Sequence, residues 1–158
     1  MLGSSIKVYI ACSSILYLKF LLATIVQGGK KYRSGGRPPE DISLNLAQTL
    51  GKGRQQTFGL EKTDNEKVLK AREVERRWTG IVSNDVESIP FALGIFGAGV
   101  MADSNATVHA GAMIVYTVSR CLHTYAYAYA KQPHRGICWL TGVLTILVGA
   151  GNAVVAIL

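Results

Sequence analysis

The stretch Glu73–Phe91, EVERRWTGIVSNDVESIPF, makes two demands that pull against each other. Arginines lead into an apolar run, which reads as a helix entering lipid, yet Asn84, Asp85 and Glu87 lie inside that run. Wound as a helix from Arg76, it puts Arg76, Gly80, Ser83 and Glu87 on one stripe with Asn84 beside it. A charged group at membrane depth costs about 2.5–3.5 kcal/mol on insertion scales. Each such group therefore needs a partner or a use.

The surroundings of that stretch set the class of protein. The chain has 158 residues, 49% of them hydrophobic and only 17% charged. The apolar residues fall in blocks near the roughly 20 residues a helix needs to cross a bilayer. The charges gather between Lys30 and Arg77. This pattern predicts one all-α membrane domain with spans at about 6–26, 78–101, 106–130 and 136–158 and a polar connector at 27–77. The first block reads as a retained span and not a secretory signal, because Lys19 interrupts it and no small-residue cleavage site follows.

Pro38 and Pro39 force an extended turn after the first basic cluster. Residues 42–65 read as a polar connector with glycines at 51, 53 and 59. From Asn65, pairs such as Glu66 with Lys70 and Glu73 with Arg77 have helical spacing and lead into the second span. Pro90 is expected to bend that span. With four spans, the 27–77 connector and the turn KQPHR (131–135) share one side. That side is the cytosol by the positive-inside rule. The net charge of +7 is thus accounted for by loops, and no nucleic-acid motif accompanies it.

Cys12, Cys121 and Cys138 lie in apolar segments without CxxC spacing, so they read as packing thiols and not as disulfides or metal ligands. Gly97–Ala102 has the form GxGxxA but sits within a membrane helix, which excludes a dinucleotide loop. Gly51-Lys52-Gly53 lacks the ending of a phosphate loop. No internal repeat suggests a transporter built from two halves.

In the third span Arg120, His123, Thr124 and Tyr127 share a helix face. Arg120 calls for an acid, and Asp85 or Glu87 can supply it. Lys19 either snorkels to an interface or turns inward to an acid. Tyr125, Tyr129 and Trp139 read as interfacial belt residues. Arg135 lies at the mouth of the last span. On topology alone it is an anchor, but basic groups converging from several helix ends also suit a small polyanion.

Taken in order, E-R-R at 75–77, N-D-x-E-x-I-P-F from Asn84, R-x-x-H-T-x-x-Y from Arg120 and P-x-R ending at Arg135 resemble the MAPEG superfamily. These are the membrane-associated proteins of eicosanoid and glutathione metabolism, and the branch most similar is that of microsomal glutathione transferase 1 and microsomal prostaglandin E synthase. Lys19 and the Pro39-Glu40-Asp41 turn extend the likeness over most of the chain. The resemblance implies a four-helix protomer, a homotrimer, and glutathione held between neighbouring subunits on the cytosolic side. It implies that Lys31, or Arg33 in its stead, holds a glutathione carboxylate. Arg76 or Arg77, Asn84 and Glu87 contact the peptide, His123 and Tyr127 complete the pocket, and Arg135 is the catalytic group that stabilises the thiolate.

The sequence also departs from the family pattern. Thr79-Gly80-Ile81-Val82-Ser83 stands where an Arg-Ala-His-like run is usual, one residue is gained before Asn84, and one is lost between Glu87 and Pro90. Gly136 replaces the serine of the prostaglandin synthase, which favours general conjugation over isomerisation. The expected function is a membrane glutathione transferase of detoxification, with peroxidase activity as a further capacity. Glutathione would attack a hydrophobic electrophile or lipid hydroperoxide, in the endoplasmic reticulum or the outer mitochondrial membrane. The rivals are a non-catalytic scaffold or regulatory member of the same family, a prostaglandin E synthase-type isomerase, and a small channel or proton-coupled carrier.

Overall fold

Residues 3–158 are described by a computed structural model. Five α-helices and one short 3-10 turn account for the ordered backbone, and no strand occurs among the described residues. The helices are α1 (Ser4–Ser34), α2 (Asn45–Gly51), α3 (Glu66–Met101), α4 (Ala106–Ala128) and α5 (His134–Ile157), with the 3-10 turn at Pro39–Ser43.

Among the described residues, α1 and α5 are long and apolar enough to cross a membrane, with mean hydropathies of 1.8 and 2.0. Only 17% and 11% of those stretches are buried. A soluble fold would not leave so much apolar surface uncovered, so the chain has the character of a membrane protein. α3 and α4, expected as spans, do not meet the same test. Their apolar faces are diluted by polar groups, several of which turn inward: Asp85, His109, Thr117, Ser119, Arg120 and His123 are all buried.

The chain divides into two compact units. One comprises the chain up to Phe20 together with Asn84–Leu158. Its core is a cluster that draws Cys12 and Leu16 from α1, Ile89, Ala92 and Phe96 from α3, and Met113 and Tyr116 from α4. Polar bonds lock the register inside this core. Tyr9 donates to the Leu93 carbonyl at 3.2 Å, and the Ser88 and Tyr116 hydroxyls meet at 2.9 Å. The turn into α4 is capped by Asn105, whose side chain accepts from the Thr107 and Val108 amides. Asn152 on α5 donates to Ser104 and to the Asn105 carbonyl, tying α5 to the same turn.

The second unit, Leu21–Ser83, contains the whole of the expected connector. It is more ordered than the polar composition suggests. α1 continues well past Val26, since nothing breaks the helix before Gly35 and the Pro38–Pro39 pair. α2 lies within the stretch read as plain connector. Buried Gln56 pins the loop that follows: its amide donates to the carbonyls of Tyr32 (3.1 Å) and Arg54 (2.9 Å), and its carbonyl accepts from the Arg37 amide. Thr57 and Gly59 donate backbone bonds to the Gly35 carbonyl. α3 passes through Pro90 without interruption.

Gly149 marks the tightest helix approach. A Cβ there would sit 2.7 Å from the Phe96 ring, closer than real contacts allow. Gly149→Val should lower stability by about 1–3 kcal/mol through overpacking. A thermal unfolding midpoint in detergent equal to that of the parent would contradict this packing.

Candidate functional site

The site is built on a buried ionic clasp. The Asp85 carboxylate on α3 takes Lys19 of α1 on one oxygen and Arg120 of α4, at 2.5 Å, on the other. The Asp85 side chain has no exposed surface, and Lys19 and Arg120 keep 10% and 2%. Arg120 thus finds the acid it needs in Asp85, and Lys19 turns inward to the same carboxylate. Glu87, the other acid considered for that role, is exposed on α3.

One turn along α4 from Arg120 come His123 and then Tyr127. Their rings meet edge to face at 5.7 Å. The Arg135 guanidinium, in the first turn of α5, lies over the Tyr127 ring at 4.6 Å from its centroid. A cation so placed is held with about 0.5–2 kcal/mol. The connecting turn puts Arg135 there through local bonds: the Lys131 amide donates to the Ala126 carbonyl at 2.8 Å, and the Arg135 amide donates to the Lys131 carbonyl at 3.1 Å. A second stack runs alongside, with Lys131 over Tyr125 and Tyr125 against Tyr129, and both of these rings are exposed.

These groups open onto a cavity of about 290 Å³ lined by Asn84, His123, Tyr127, Gln132, Arg135 and Trp139. Its wall is mixed: the Arg135 guanidinium and the amides of Asn84 and Gln132 line it together with the Tyr127 and Trp139 rings. His123 is buried, and its Nδ1 has no hydrogen-bond partner among the described residues. A buried polar nitrogen left without a partner costs about 1–3 kcal/mol, so at a cavity wall it is poised for a polar ligand.

Four of the sequence-predicted residues, Asn84, His123, Tyr127 and Arg135, therefore meet at one cavity. Glu87 shares α3 with Asn84 but does not line it. Lys31, Arg76 and Arg77 belong to the other unit. There Lys31 is half-buried, Arg76 is exposed, and Arg77 donates to Glu73 at 2.6 Å. Gln132 and Trp139 were not foreseen as lining residues. Trp139, read as a belt residue, stands four positions after Arg135 and so shares its face of α5, a signal the spacing held. Gln132 gave no such signal.

A MAPEG family model matches residues 8–155. The chain belongs to the MAPEG family. That match includes the residues of the clasp and the cavity and most of each of the four long helices. A search of curated proteins returned no match.

The clasp makes a stability prediction. Asp85→Leu leaves two buried cations unpaired and should cost about 3–5 kcal/mol. Lys19→Met, which leaves the Arg120 pair intact, should cost less. Unfolding midpoints in detergent that fall equally for the two variants, or for neither, would contradict a shared carboxylate.

Proposed function

We propose that this MAPEG protein is a membrane-bound glutathione transferase that conjugates glutathione to hydrophobic electrophiles. The observation that carries the reading is the Arg135 guanidinium held over Tyr127 at the wall of a cavity with both polar and aromatic faces. A fixed positive charge beside a thiol lowers its pKa and raises the thiolate fraction. The thiolate sulfur then attacks an electrophilic carbon, and the leaving group departs with the bonding electrons. Positioning and charge stabilisation carry most of such a reaction.

In this reading Asn84 and the buried His123 hold polar parts of the tripeptide, and Tyr127 orients Arg135. Trp139, half-exposed on α5, faces the apolar second substrate. Roles for Lys31, Arg76, Arg77 and Glu87 in holding the ends of glutathione rest on the family resemblance alone. So do the homotrimer, the location in the endoplasmic reticulum or outer mitochondrial membrane, the placement in the microsomal glutathione transferase branch and a peroxidase capacity toward lipid hydroperoxides, while the four-span topology rests on the apolar blocks of the sequence as well.

One observation favours a second reading, a non-catalytic family member. Of the two arginines that stand in for the usual basic run of α3, Arg77 is engaged by Glu73. The two readings part on glutathione itself.

Purified protein in detergent should bind glutathione and conjugate a generic aromatic halide. Arg135→Ala should lower kcat/KM by about 10²–10³, the scale of removing one charge-stabilising donor. Arg135→Lys, which keeps the charge without the planar stack, should recover part of it. A parent protein that binds no glutathione would leave the scaffold reading in place. An unchanged rate in Arg135→Ala would remove that residue from the mechanism.

A further inference from the structure

The unit Leu21–Ser83 contains a second concave surface, and of the residues that line it only Arg33, as a stand-in for Lys31, was considered for glutathione. Twelve of the chain's 17 Lys and Arg residues lie in this segment. Six of them line one groove: Arg33, Lys52, Arg54 and Lys67 around a cavity of about 450 Å³, with Lys30 and Lys70 on a contiguous cavity of about 260 Å³ that shares Arg33 and Lys67. Leu50, Ala71 and Val74 supply an apolar floor.

No carboxylate lines either cavity. Three acids of this unit are engaged elsewhere: Asp41 pairs with Arg37 and Glu73 with Arg77, while the Glu75 carboxylate lies against Gly36. Of the six cations only Lys70 has an acid near, Glu66, at 4.0 Å and with both side chains well exposed. The other five have no carboxylate partner among the described residues. Cations brought together without acids make a focused positive field that a multivalent anion relieves.

The groove is also built. Gly51, at the end of α2, approaches the Tyr32 carbonyl so closely that a Cβ would lie 3.1 Å from it. Lys52 follows in the left-handed conformation (φ 52°), and buried Gln56 bonds the Arg54 carbonyl. The loop bearing Lys52 and Arg54 is therefore pinned against α1 and does not hang free. Lys30 and Arg33 stand four and seven residues beyond Val26 on the same continuous helix as the apolar run. At 1.5 Å per residue, that puts them about 6–11 Å past the end of that run, at headgroup depth. Basic clusters in this position recognise phosphorylated lipid headgroups.

We propose that this groove binds the phosphate monoesters of a polyphosphorylated anionic lipid headgroup from the protein's own membrane. Arg33 and Arg54 offer bidentate forks, and Lys52 and Lys67 offer point charges. The apolar floor takes the adjoining glycerol.

The test uses full-length protein in detergent, titrated with a fluorescent short-chain phosphatidylinositol bisphosphate and followed by anisotropy. Short-chain phosphatidylserine and free inositol trisphosphate serve as competitors. The bisphosphate lipid should bind at least about tenfold tighter than the serine lipid, and the binding should weaken with salt. The triple variant Arg33→Gln/Lys52→Gln/Lys67→Gln should bind at least about tenfold more weakly with unchanged helical circular dichroism, as should the single reversal Lys67→Glu. Lys62→Gln, an exposed charge outside the groove, should bind like the parent. Equal affinity for the two lipids, or equal weakening by Lys62→Gln, would overturn the site in favour of diffuse charge. Inositol trisphosphate bound as tightly as the lipid would overturn the membrane source.

Discussion

Everything in the helical core depends on how one carboxylate is neutralised. Asp85 lies in the middle of α3 with no exposed surface and takes a cation from α1 and another from α4. None of these three groups is tolerable alone where it lies, because removing its partners would leave a buried charge uncompensated. Together they select one rotation of each helix about its axis. Apolar contacts such as Phe96 with Tyr116 are not directional, whereas an ion pair that is broken leaves a buried charge without a partner.

The rotation has a chemical consequence. With Arg120 turned inward to Asp85, the next positions on the same stripe of α4 are His123 and Tyr127, which then face the cavity. A short turn returns the chain to α5, and Arg135 comes to rest on the Tyr127 ring. The clasp and the site are thus successive turns of one helix face. A group needed for structure and groups suited to chemistry share a periodicity of three and four. The two stacks at this end of α4 divide in the same way: Arg135 on Tyr127 faces the cavity, and Lys131 on Tyr125 is exposed.

Much of this was legible from residue types and spacing. Arg120 in an apolar helix demanded an acid, and the choice lay between two neighbours on α3. The spacing alone could not decide between Asp85 and Glu87, which differ by about 200° around a helix, because the sequence does not say which face of α3 meets α4. Lys19 had two readings for the same reason: whether a long basic side chain snorkels or turns inward depends on what faces it from another helix. The fold of Leu21–Ser83 was the least legible part. Its order comes from contacts distant in sequence, such as Gln56 with the Tyr32 carbonyl, and a glutamine in a polar stretch announces nothing. The basic groove was hidden likewise. Its cations come from three separate segments, and only folding reveals that they meet at cavities that no described carboxylate lines.

The central claim is that the cavity at Arg135 converts a bound thiol to its thiolate. It is tested most directly by ultraviolet difference absorbance when glutathione is added to the purified protein near neutral pH, below the range of about 8.5 where a free thiol ionises. The account predicts a saturable thiolate band in the parent protein that is lost in Arg135→Ala while glutathione still binds. Binding without a thiolate band in the parent, or a band of equal size in the variant, would contradict it.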